Sequence, residues 1–526
     1  MLKKMRTALF AVAVLAMLSA CGVNPVTGKK EIQFISAEQE IQIGRQHYAP
    51  SRQSQGGDLT LLPELTTYVS SIGQRLAAVS DRELPYEFVV LNSSVPNAWA
   101  LPGGKIAVNR GLLTTLDNEA ELAAVLGHEI VHAAARHGAK AQERGTFLQA
   151  GMIAAQIGVA VSDTDPNLGN LLLQGAGVGA QMVSLRYGRE AELEADLFGM
   201  RYMQRAGYDP RAAITLQQKF LTLSQNQGRN QSWFEGLFAS HPPSGERVER
   251  NAQTATSLPG AGELGAERYA VQLAPLRAAK PAYDKADEAM AAAGKKEFAR
   301  ARQLANEAAR LLPKEGRFQQ LLGDIEMAEK KPRAALPFYD KAIELDSGYF
   351  GPYLGGGIAA FRVGNTSRAE QLLSRSAELL PTAPAMYYLG SIAKGRGDVD
   401  GAMKMFRSAA ESNSEIGKQA ALEFVTLDLP RNPGNYLAAG LQFDARGVAI
   451  AVLENRSPVT IMRVALTPVR VDAAGRIVEQ GRGLQLERVI RPGERITVDP
   501  GIGTVSAEVA PQLRLRVDAA APAATP

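Results

Sequence analysis

The order of apolar and polar positions divides the chain into regions of different character. An apolar run from Ala8 to Leu18 follows three basic residues near the N-terminus. Residues 61–255 alternate helical patterns with one strand pattern. Residues 280–425 are helical and repetitive, whereas short β-rich runs separated by turn residues begin near residue 430. This order predicts a mainly α multidomain protein that ends in a small β-sandwich.

Residues 280–425 repeat with a period close to 34. Alanines are spaced 34, 34 and 33 residues apart, and glycines 34 and 33 apart. These positions are Ala301, Ala335, Ala369, Ala402, Gly323, Gly357 and Gly390. Small residues are needed where paired helices approach closely, and Tyr339 and Phe406 supply bulk four residues after their alanines. The pattern resembles tetratricopeptide repeats and predicts an α-helical solenoid, which is either a spacer or a concave surface for a protein partner.

Composition and charge exclude several classes of protein. The 526 residues suggest about three domains, and the 45% apolar and 21% charged fractions exclude collagen, a mainly disordered chain and a disulfide scaffold. Three of the 58 basic residues lie in the predicted leader, which leaves 55 against 54 acidic residues. Bulk charge therefore indicates no nucleic-acid partner. The single cysteine excludes an intramolecular disulfide and a cysteine-rich zinc site.

The N-terminus has the pattern of a signal peptide. Its apolar run is short for a membrane span, and it ends in Leu18-Ser19-Ala20-Cys21, which resembles a bacterial lipobox. In a lipobox the cysteine is lipidated and becomes the first mature residue; the alternative is a secretory signal with an incidental cysteine. Gly22 in place of an aspartate favours outer-membrane sorting. We expect a periplasmic protein held at the outer membrane by lipid on Cys21.

A strong helical pattern from Ala120 to His137 contains His128-Glu129-Ile130-Val131-His132. Residues at i and i+4 share a helix face, so both imidazoles can reach one zinc ion. Glu129 lies beside the first histidine, where it can take a proton from water. Two ordinary histidines on a helix are the alternative reading.

Two histidines leave a zinc ion short of a protein ligand. Ala135 and Gly138 occupy the positions where a metzincin has glycine and histidine, so that class is excluded. At about 100° per residue, His137 lies about 180° round the helix from His128. We therefore expect His137 to be structural or at the surface.

A second helical stretch, Arg189 to Met200, offers three glutamates. Glu190 and Glu194 share one face, whereas Glu192 lies on the other with Asp196 four residues later. A carboxylate one turn beyond a ligand can accept the ring N–H of a ligand histidine, and only Glu192 has an aspartate at that position. A solvated acidic face is the alternative.

Together these motifs resemble the gluzincin family of zinc metallopeptidases, which includes the CAAX prenyl proteases, HtpX and BepA. The second motif, Glu192 to Asp196, begins 60 residues after His132. The match extends to three further segments over roughly residues 18–255. These are Asn24 to Lys29, Asn97 to Ile106, and His241-Pro242-Pro243 with Arg247. The resemblance implies an α+β zincin-like peptidase domain with one zinc ion per chain.

The resemblance also implies residue roles. The zinc ligands are His128, His132 and Glu192, the catalytic base is Glu129, and Asp196 supports the ligands. His241 matches a family histidine near the metal. It either stabilises the tetrahedral oxyanion or occupies the open coordination position in a latent state.

The stretch after the Gly103-Gly104 turn reads as a strand. In this fold class such an edge strand pairs with extended substrate, so we expect unfolded or flexible polypeptide to bind there; an ordinary sheet strand is the alternative. The residues concerned are Gly104, Lys105, Ile106, Ala107 and Val108.

Two further apolar runs, Leu148 to Val161 and Leu171 to Val183, are short and interrupted by glutamines. We expect buried or amphipathic helices near the active site rather than membrane spans. The predicted order of segments is signal peptide 1–20, N-terminal segment 21–60, peptidase 61–255, linker 256–279, repeats 280–425, β-rich domain 430–518 and disordered tail 519–526.

The resemblance implies a zinc endopeptidase that cleaves unfolded or misassembled envelope proteins in protein quality control. One alternative is a chaperone-like scaffold that binds outer-membrane proteins through its repeats and keeps its protease largely latent. A different zinc hydrolase that uses the same ligands is another.

Overall fold

The structure is a computed structural model that describes residues 21–143, 187–225, 236–258 and 262–523. The chain forms two compact units, residues 1–355 and 356–526. Among the described residues, no helix has the length and apolar character needed to span a bilayer. The signal peptide and the two apolar runs predicted within 148–183 lie outside the described residues.

The described part of the first unit contains five short strands and most of the described helices. The strands are β1 (Cys21–Val23), β2 (Lys30–Ile32), β3 (Glu87–Leu91), β4 (Ala98–Leu101) and β5 (Lys105–Asn109). The helices before the repeats are α1 (Ala37–Ser54), α2 (Pro63–Ala77), α3 (Arg110–Leu113), α4 (Glu119–Ala134), α5 (Arg189–Arg205), α6 (Ala212–Ser224), α7 (Leu237–Ser240), α8 (Gly245–Ser257) and α9 (Ala266–Gly294).

The three-stranded sheet corrects one prediction about substrate binding. Its strand order is β3-β5-β4, so β5 is the central strand, parallel to β3 and antiparallel to β4. All residues of β5 are buried. The predicted edge strand Gly104, Lys105, Ile106, Ala107 and Val108 is therefore wrong, because both edges of β5 are already hydrogen-bonded. Gly103 and Gly104 do form the turn before it, with φ of 77° and 82°.

Helix α4 is buried along its whole length. Asn118 caps it by accepting a hydrogen bond from the Glu121 amide, and acidic residues occupy its first turn. Every residue from Glu119 to Ala134 is buried, which explains why the sequence pattern is apolar around the polar group. A helix without a solvent face holds its side chains in fixed positions, as a metal site requires.

Helix α9 links the peptidase core to the first repeat. Tyr269, Leu273 and Leu276 pack in the peptidase core, while Ala289 and Ala292 pack with the first repeat helix. The helix begins within residues 256–279, where the sequence predicts a linker. The glycine- and proline-rich signal ends at Gly265, and the residues that follow it are strong helix formers.

The repeat region consists of short antiparallel helices. They are α10 (Phe298–Leu311), α11 (Gly316–Ala328), α12 (Pro332–Leu345), α13 (Phe350–Arg362), α14 (Thr366–Leu379), α15 (Ala383–Gly395), α16 (Val399–Ala410) and α17 (Glu415–Asp428). The four repeat alanines are fully buried. A Cβ on Gly323 would lie 2.9 Å from the Tyr339 ring, and one on Gly390 would lie 2.9 Å from the Phe406 ring. The 34-residue period therefore reflects a recurring contact. Each repeat glycine packs against the side chain that lies four residues after the next repeat alanine.

The C-terminal region forms two antiparallel sheets around one apolar core. Their strand orders are β11-β7-β6 and β10-β8-β12, with β9 also pairing with β8. The strands are β6 (Leu437–Phe443), β7 (Ala449–Asn455), β8 (Ile461–Val471), β9 (Ile477–Gln480), β10 (Leu484–Leu486), β11 (Arg495–Val498) and β12 (Leu513–Pro522). The expectation of a disordered tail from 519 is wrong as far as Pro522, because Ala519 to Pro522 pair with β8.

Candidate metal centre

The candidate metal centre lies where α4 and α5 cross. At the crossing point Gly127 faces Gly199, and a Cβ on either would lie 3.1 Å from a backbone atom of the other helix. The two glycines therefore let the helix backbones approach closely. This approach brings Glu192, near the start of α5, to the two histidines of α4.

Four side chains converge on one point in the peptidase unit. His128, His132, Glu192 and His241 are all buried, and one ligand atom from each lies within 4.8 Å of all the others. The Nε2 atoms of His128 and His132 are 3.0 Å apart. Glu192 Oε1 is 3.4 Å from His132 Nε2 and 3.0 Å from His241 Nδ1.

The spacing of these atoms fits a small tetrahedral ion. Ligand atoms that bind zinc at about 2.0–2.2 Å in a tetrahedron are about 3.3–3.6 Å apart. Glu192 Oε2 is 3.5 Å from His128 Nε2, and His241 Nδ1 is 3.3 Å from the same nitrogen. Two or three imidazoles and a carboxylate are also ligand types that zinc binds in proteins. The residues present therefore fit a zinc ion.

Glu129 faces the cluster from the side of His241. Its Oε1 lies 3.5 Å from His241 Nε2, and its buried Oε2 has no hydrogen-bond partner among the described residues. Burial raises the pKa of Glu129, although the nearby histidines oppose that rise. The carboxylate is thus free to accept a proton, and its raised pKa makes it a stronger base.

Glu192 is held in its charged form. Burial disfavours its ionisation, but the charges of His241 and Arg247 outweigh that effect and keep the pKa of Glu192 well below its usual value. Arg247 Nη1 lies 2.9 Å from Glu192 Oε2. An ionised carboxylate beside two imidazoles is suited to hold a divalent cation.

His128 is oriented by a chain of buried contacts. Its Nδ1 lies 2.9 Å from Asp196 Oδ1. Arg247 Nε and Nη2 in turn donate to Asp196 at 2.7 Å each. An ionised carboxylate accepts hydrogen bonds only, so it selects the His128 tautomer that leaves Nε2 free for a metal. The sequence predicts that Asp196 supports a ligand histidine from this face of α5, but assigns no role to Arg247.

His137 is not where helical periodicity predicts. The structure ends α4 at Ala134, and Arg136 has a left-handed φ of 64°. This turn brings His137 back to its neighbour, with its Nδ1 2.9 Å from His132 Nδ1. His137 is buried, so the expectation of a surface residue is wrong and that of a structural one remains open. The projection fails because it assumes a helix that continues through residue 137.

An apolar pocket opens beside the cluster. It runs from His128 and Glu129 toward α6, and its walls are mostly aliphatic and aromatic. Apolar members include Ala124, Val125, Met203, Leu216, Phe220 and Leu237. Tyr187 also contacts the cluster. Its ring stacks on that of His132, with 4.0 Å between the ring centroids.

The fold and the site define a metallopeptidase of the HExxH type. Residues 63–255, which contain the HExxH motif and the four clustered side chains, match the model of peptidase family M48. The gluzincin resemblance inferred from the motifs is thereby confirmed.

Several curated proteins are similar in the same region. The beta-barrel assembly-enhancing protease of Escherichia coli strain K12 is 30% identical over 231 residues, covering 43% of this chain and 46% of that protein. The Yersinia pestis protein of the same name is 32% identical over 228 residues, with 43% and 46% covered. The mitochondrial metalloendopeptidase OMA1 of Schizosaccharomyces pombe is 32% identical over 231 residues, covering 43% and 64%. The chain thus spans about half the length of the assembly-enhancing proteases it matches.

Among solved structures, MamA aligns with 29% of this chain and 93% of its own, at 19% identity and a TM-score of 0.24. YrrB aligns with 42% and 95%, at 16% identity and a TM-score of 0.23. At such TM-scores these likenesses support no conclusion, and the helical repeat rests on the helices described above.

Proposed function

We propose that the protein is a zinc-dependent endopeptidase of the bacterial envelope that cleaves unfolded or misassembled proteins. The observation that carries the proposal is the convergence of His128, His132 and Glu192, whose ligand atoms lie 3.0–3.5 Å apart, close to the separations in a tetrahedral zinc site. The names of the similar proteins, an assembly-enhancing protease and a metalloendopeptidase, support a peptidase that acts on envelope proteins.

The residues around the cluster suit amide hydrolysis. Zinc, when bound, supplies a Lewis acid that polarises the scissile carbonyl and makes water a stronger nucleophile near neutral pH. Glu129, whose buried Oε2 has no hydrogen-bond partner among the described residues, takes the proton of the attacking water and delivers it to the leaving amine. Asp196 and Arg247 keep His128 and Glu192 in place.

We propose that His241 keeps the site latent. Its Nδ1 lies within 3.3 Å of ligand atoms of His128 and Glu192, where a fourth ligand would be. A substrate carbonyl reaches this position only after the imidazole has moved. This supports the latent alternative for His241 over direct stabilisation of an oxyanion.

The pocket beside the cluster has a volume of about 30 Å³, so it supports a preference for substrates with a small apolar side chain next to the cleaved bond. Its aliphatic and aromatic lining begins at His128 and Glu129, so a side chain that enters it belongs to a residue flanking the scissile amide. Apolar segments are exposed in unfolded and misassembled proteins, which agrees with the proposed substrate class.

The proposed location rests on the lipobox. Lipidation of Cys21 would place β1 and β2 beside the outer membrane, with the peptidase domain in the periplasm. Labelling with a fatty-acid analogue tests this in cells. We expect wild type to take up label and to fractionate with membranes, whereas Cys21→Ala does neither; label on the variant would contradict the assignment.

Metal analysis combined with proteolysis tests the proposed activity. We expect one zinc per chain in wild type and in Glu129→Gln, and loss of peptide cleavage by about 10²–10⁴-fold in Glu129→Gln. Glu129→Gln is also introduced into His241→Ala. Comparing this double variant with His241→Ala alone excludes latency as the cause of low activity. Glu190→Gln, an exposed glutamate on α5, is the matched control. Wild type without stoichiometric zinc, or cleavage unaffected by a chelator, would contradict the proposal.

A further inference from the structure

The far side of His132 carries a chain of contacts that the proposed mechanism does not use. While its Nε2 faces the ligand cluster, its Nδ1 lies 2.9 Å from His137 Nδ1. His137 Nε2 lies 3.2 Å from Glu194 Oε2. Both histidines are buried, and the Glu194 side chain is 23% exposed. The chain therefore runs from the cluster almost to the protein surface.

The positions of the hydrogens in these contacts follow from the charge of the Glu194 carboxylate at the outer end. An ionised Glu194 can only accept, so His137 must carry its hydrogen on Nε2. A neutral His137 then has a lone pair on Nδ1, which accepts the Nδ1–H of His132. That tautomer of His132 leaves the lone pair on Nε2, the atom that faces the ligand cluster. With Glu194 ionised and both imidazoles neutral, any other arrangement puts two hydrogens or two lone pairs in one contact.

We propose that His137 and Glu194 are positioning residues that fix the ring and tautomer of His132 for metal binding. This inference rests on the proposed zinc site. His128 is served in the equivalent way by the Asp196 carboxylate. His132 differs in that a neutral imidazole stands between it and the carboxylate. Each ligand histidine thus has its own support, and the two supports reach it from different residues of α5.

The N-terminal segment makes two hydrogen bonds at or next to these contacts. Asn24 Nδ2 donates to the Ala135 carbonyl at 3.1 Å, immediately before the left-handed Arg136 that turns His137 inward. Lys29 Nζ donates to Glu194 Oε1 at 3.2 Å, although the lysine side chain is 71% exposed. Since exposed ion pairs contribute little, we assign Lys29 a minor part and Asn24 the role of fixing the turn.

Zinc affinity of the full mature chain, measured by competition with a chromophoric chelator, tests the proposal. Loss of a residue that orients a ligand histidine weakens metal binding about 10–100-fold. We expect losses in this range for His137→Leu and Glu194→Ala. His137→Gln restores an acceptor for His132 and should regain most of the affinity. Glu190→Ala, on the same helix, is the control and should match wild type.

The Co²⁺-substituted proteins give a readout that packing alone does not move. We expect the visible absorption bands of Co²⁺ to shift in His137→Leu and to return towards wild type in His137→Gln. The melting temperature of each metal-free variant reports on folding separately. Equal losses of zinc affinity in His137→Leu and His137→Gln, or affinity within threefold of wild type in His137→Leu, would overturn the proposal. Wild type that binds no zinc would instead end the proposed function, and this inference with it.

Discussion

Arg247 donates two hydrogen bonds of 2.7 Å to Asp196, and all the groups involved are buried. Its third nitrogen lies 2.9 Å from Glu192. One guanidinium therefore pairs with two carboxylates behind the metal centre. Burial lowers the pKa of Arg247, but the attraction of Asp196 and Glu192 prevails and raises it above its ordinary value.

Replacing Arg247 should destabilise the metal-free protein strongly. Arg247→Met leaves two buried carboxylates without their cation, which costs about 3–5 kcal/mol. We expect the melting temperature of the chelator-treated protein to fall by several degrees, and by less when zinc is present, since the ion restores positive charge. Arg250→Met, on the exposed face of the same helix, should melt like wild type. An unchanged melting temperature in Arg247→Met would contradict the role assigned to this residue.

Removing His241 should activate the enzyme. His241→Ala vacates the fourth ligand position while His128, His132 and Glu192 remain, so we expect zinc to be retained and peptide hydrolysis to rise. The rate of cleavage of a peptide library, normalised to bound zinc, measures the effect. A fall in the normalised rate would favour the other role, stabilisation of the oxyanion.

Glu194 should make a stability contribution that acid removes. The hydrogen bond with His137 is the main cause that lowers the pKa of Glu194 from 4.5 to about 2. Because the folded state favours the charged form, the contribution is complete above about pH 4.5 and is lost as the pH falls towards 2.

The matched comparison is Glu194→Gln, which keeps an acceptor for His137 but removes the charge. We expect its destabilisation in metal-free protein to shrink by about 1 kcal/mol between about pH 6 and pH 3.5, after allowance for the partial exposure of Glu194. Melting temperatures across this range give the measurement. Glu190→Gln, at an exposed position of the same helix, is the matched control; a constant difference for Glu194→Gln would count against the linkage.

The repeat glycines can be tested on a single helix. Gly390 and Gly395 both belong to α15, but a Cβ on Gly390 would press on the Phe406 ring whereas one on Gly395 would meet nothing within 4 Å. We expect Gly390→Ala to destabilise by about 1–3 kcal/mol through overpacking. Gly395→Ala should be neutral or stabilising by up to about 1 kcal/mol. Thermal unfolding followed by circular dichroism distinguishes them, and equal effects would contradict the packing argument.

Local periodicity was sufficient to predict much of this molecule. Spacings of four residues place His128 beside His132 and Glu192 beside Asp196, and a period of 34 places Gly390 against Phe406. These contacts lie within one helix or recur between neighbouring repeats, so sequence spacing alone predicts them.

Contacts that depend on where a helix ends, or on the pairing of segments distant in sequence, could not be predicted in this way. His137 reaches His132 because α4 ends two residues before a left-handed Arg136, and nothing in the helical pattern marks that end. The central place of β5 depends on pairing with β3 and β4, which strand patterning does not specify. The contacts of Asn24 and Lys29 join residues more than 100 positions apart.

Helix α9 has a consequence for how this architecture can be rearranged. Its 29 residues, about 43 Å long, contribute side chains to the interior of the hydrolase at one end and of the first repeat at the other. A gene fusion or deletion with its junction before residue 294 would remove apolar side chains from the core of the peptidase domain or from that of the first repeat. Over evolution, the catalytic module and this helix are therefore expected to be inherited together, whereas the hairpins beyond them are free to vary in number.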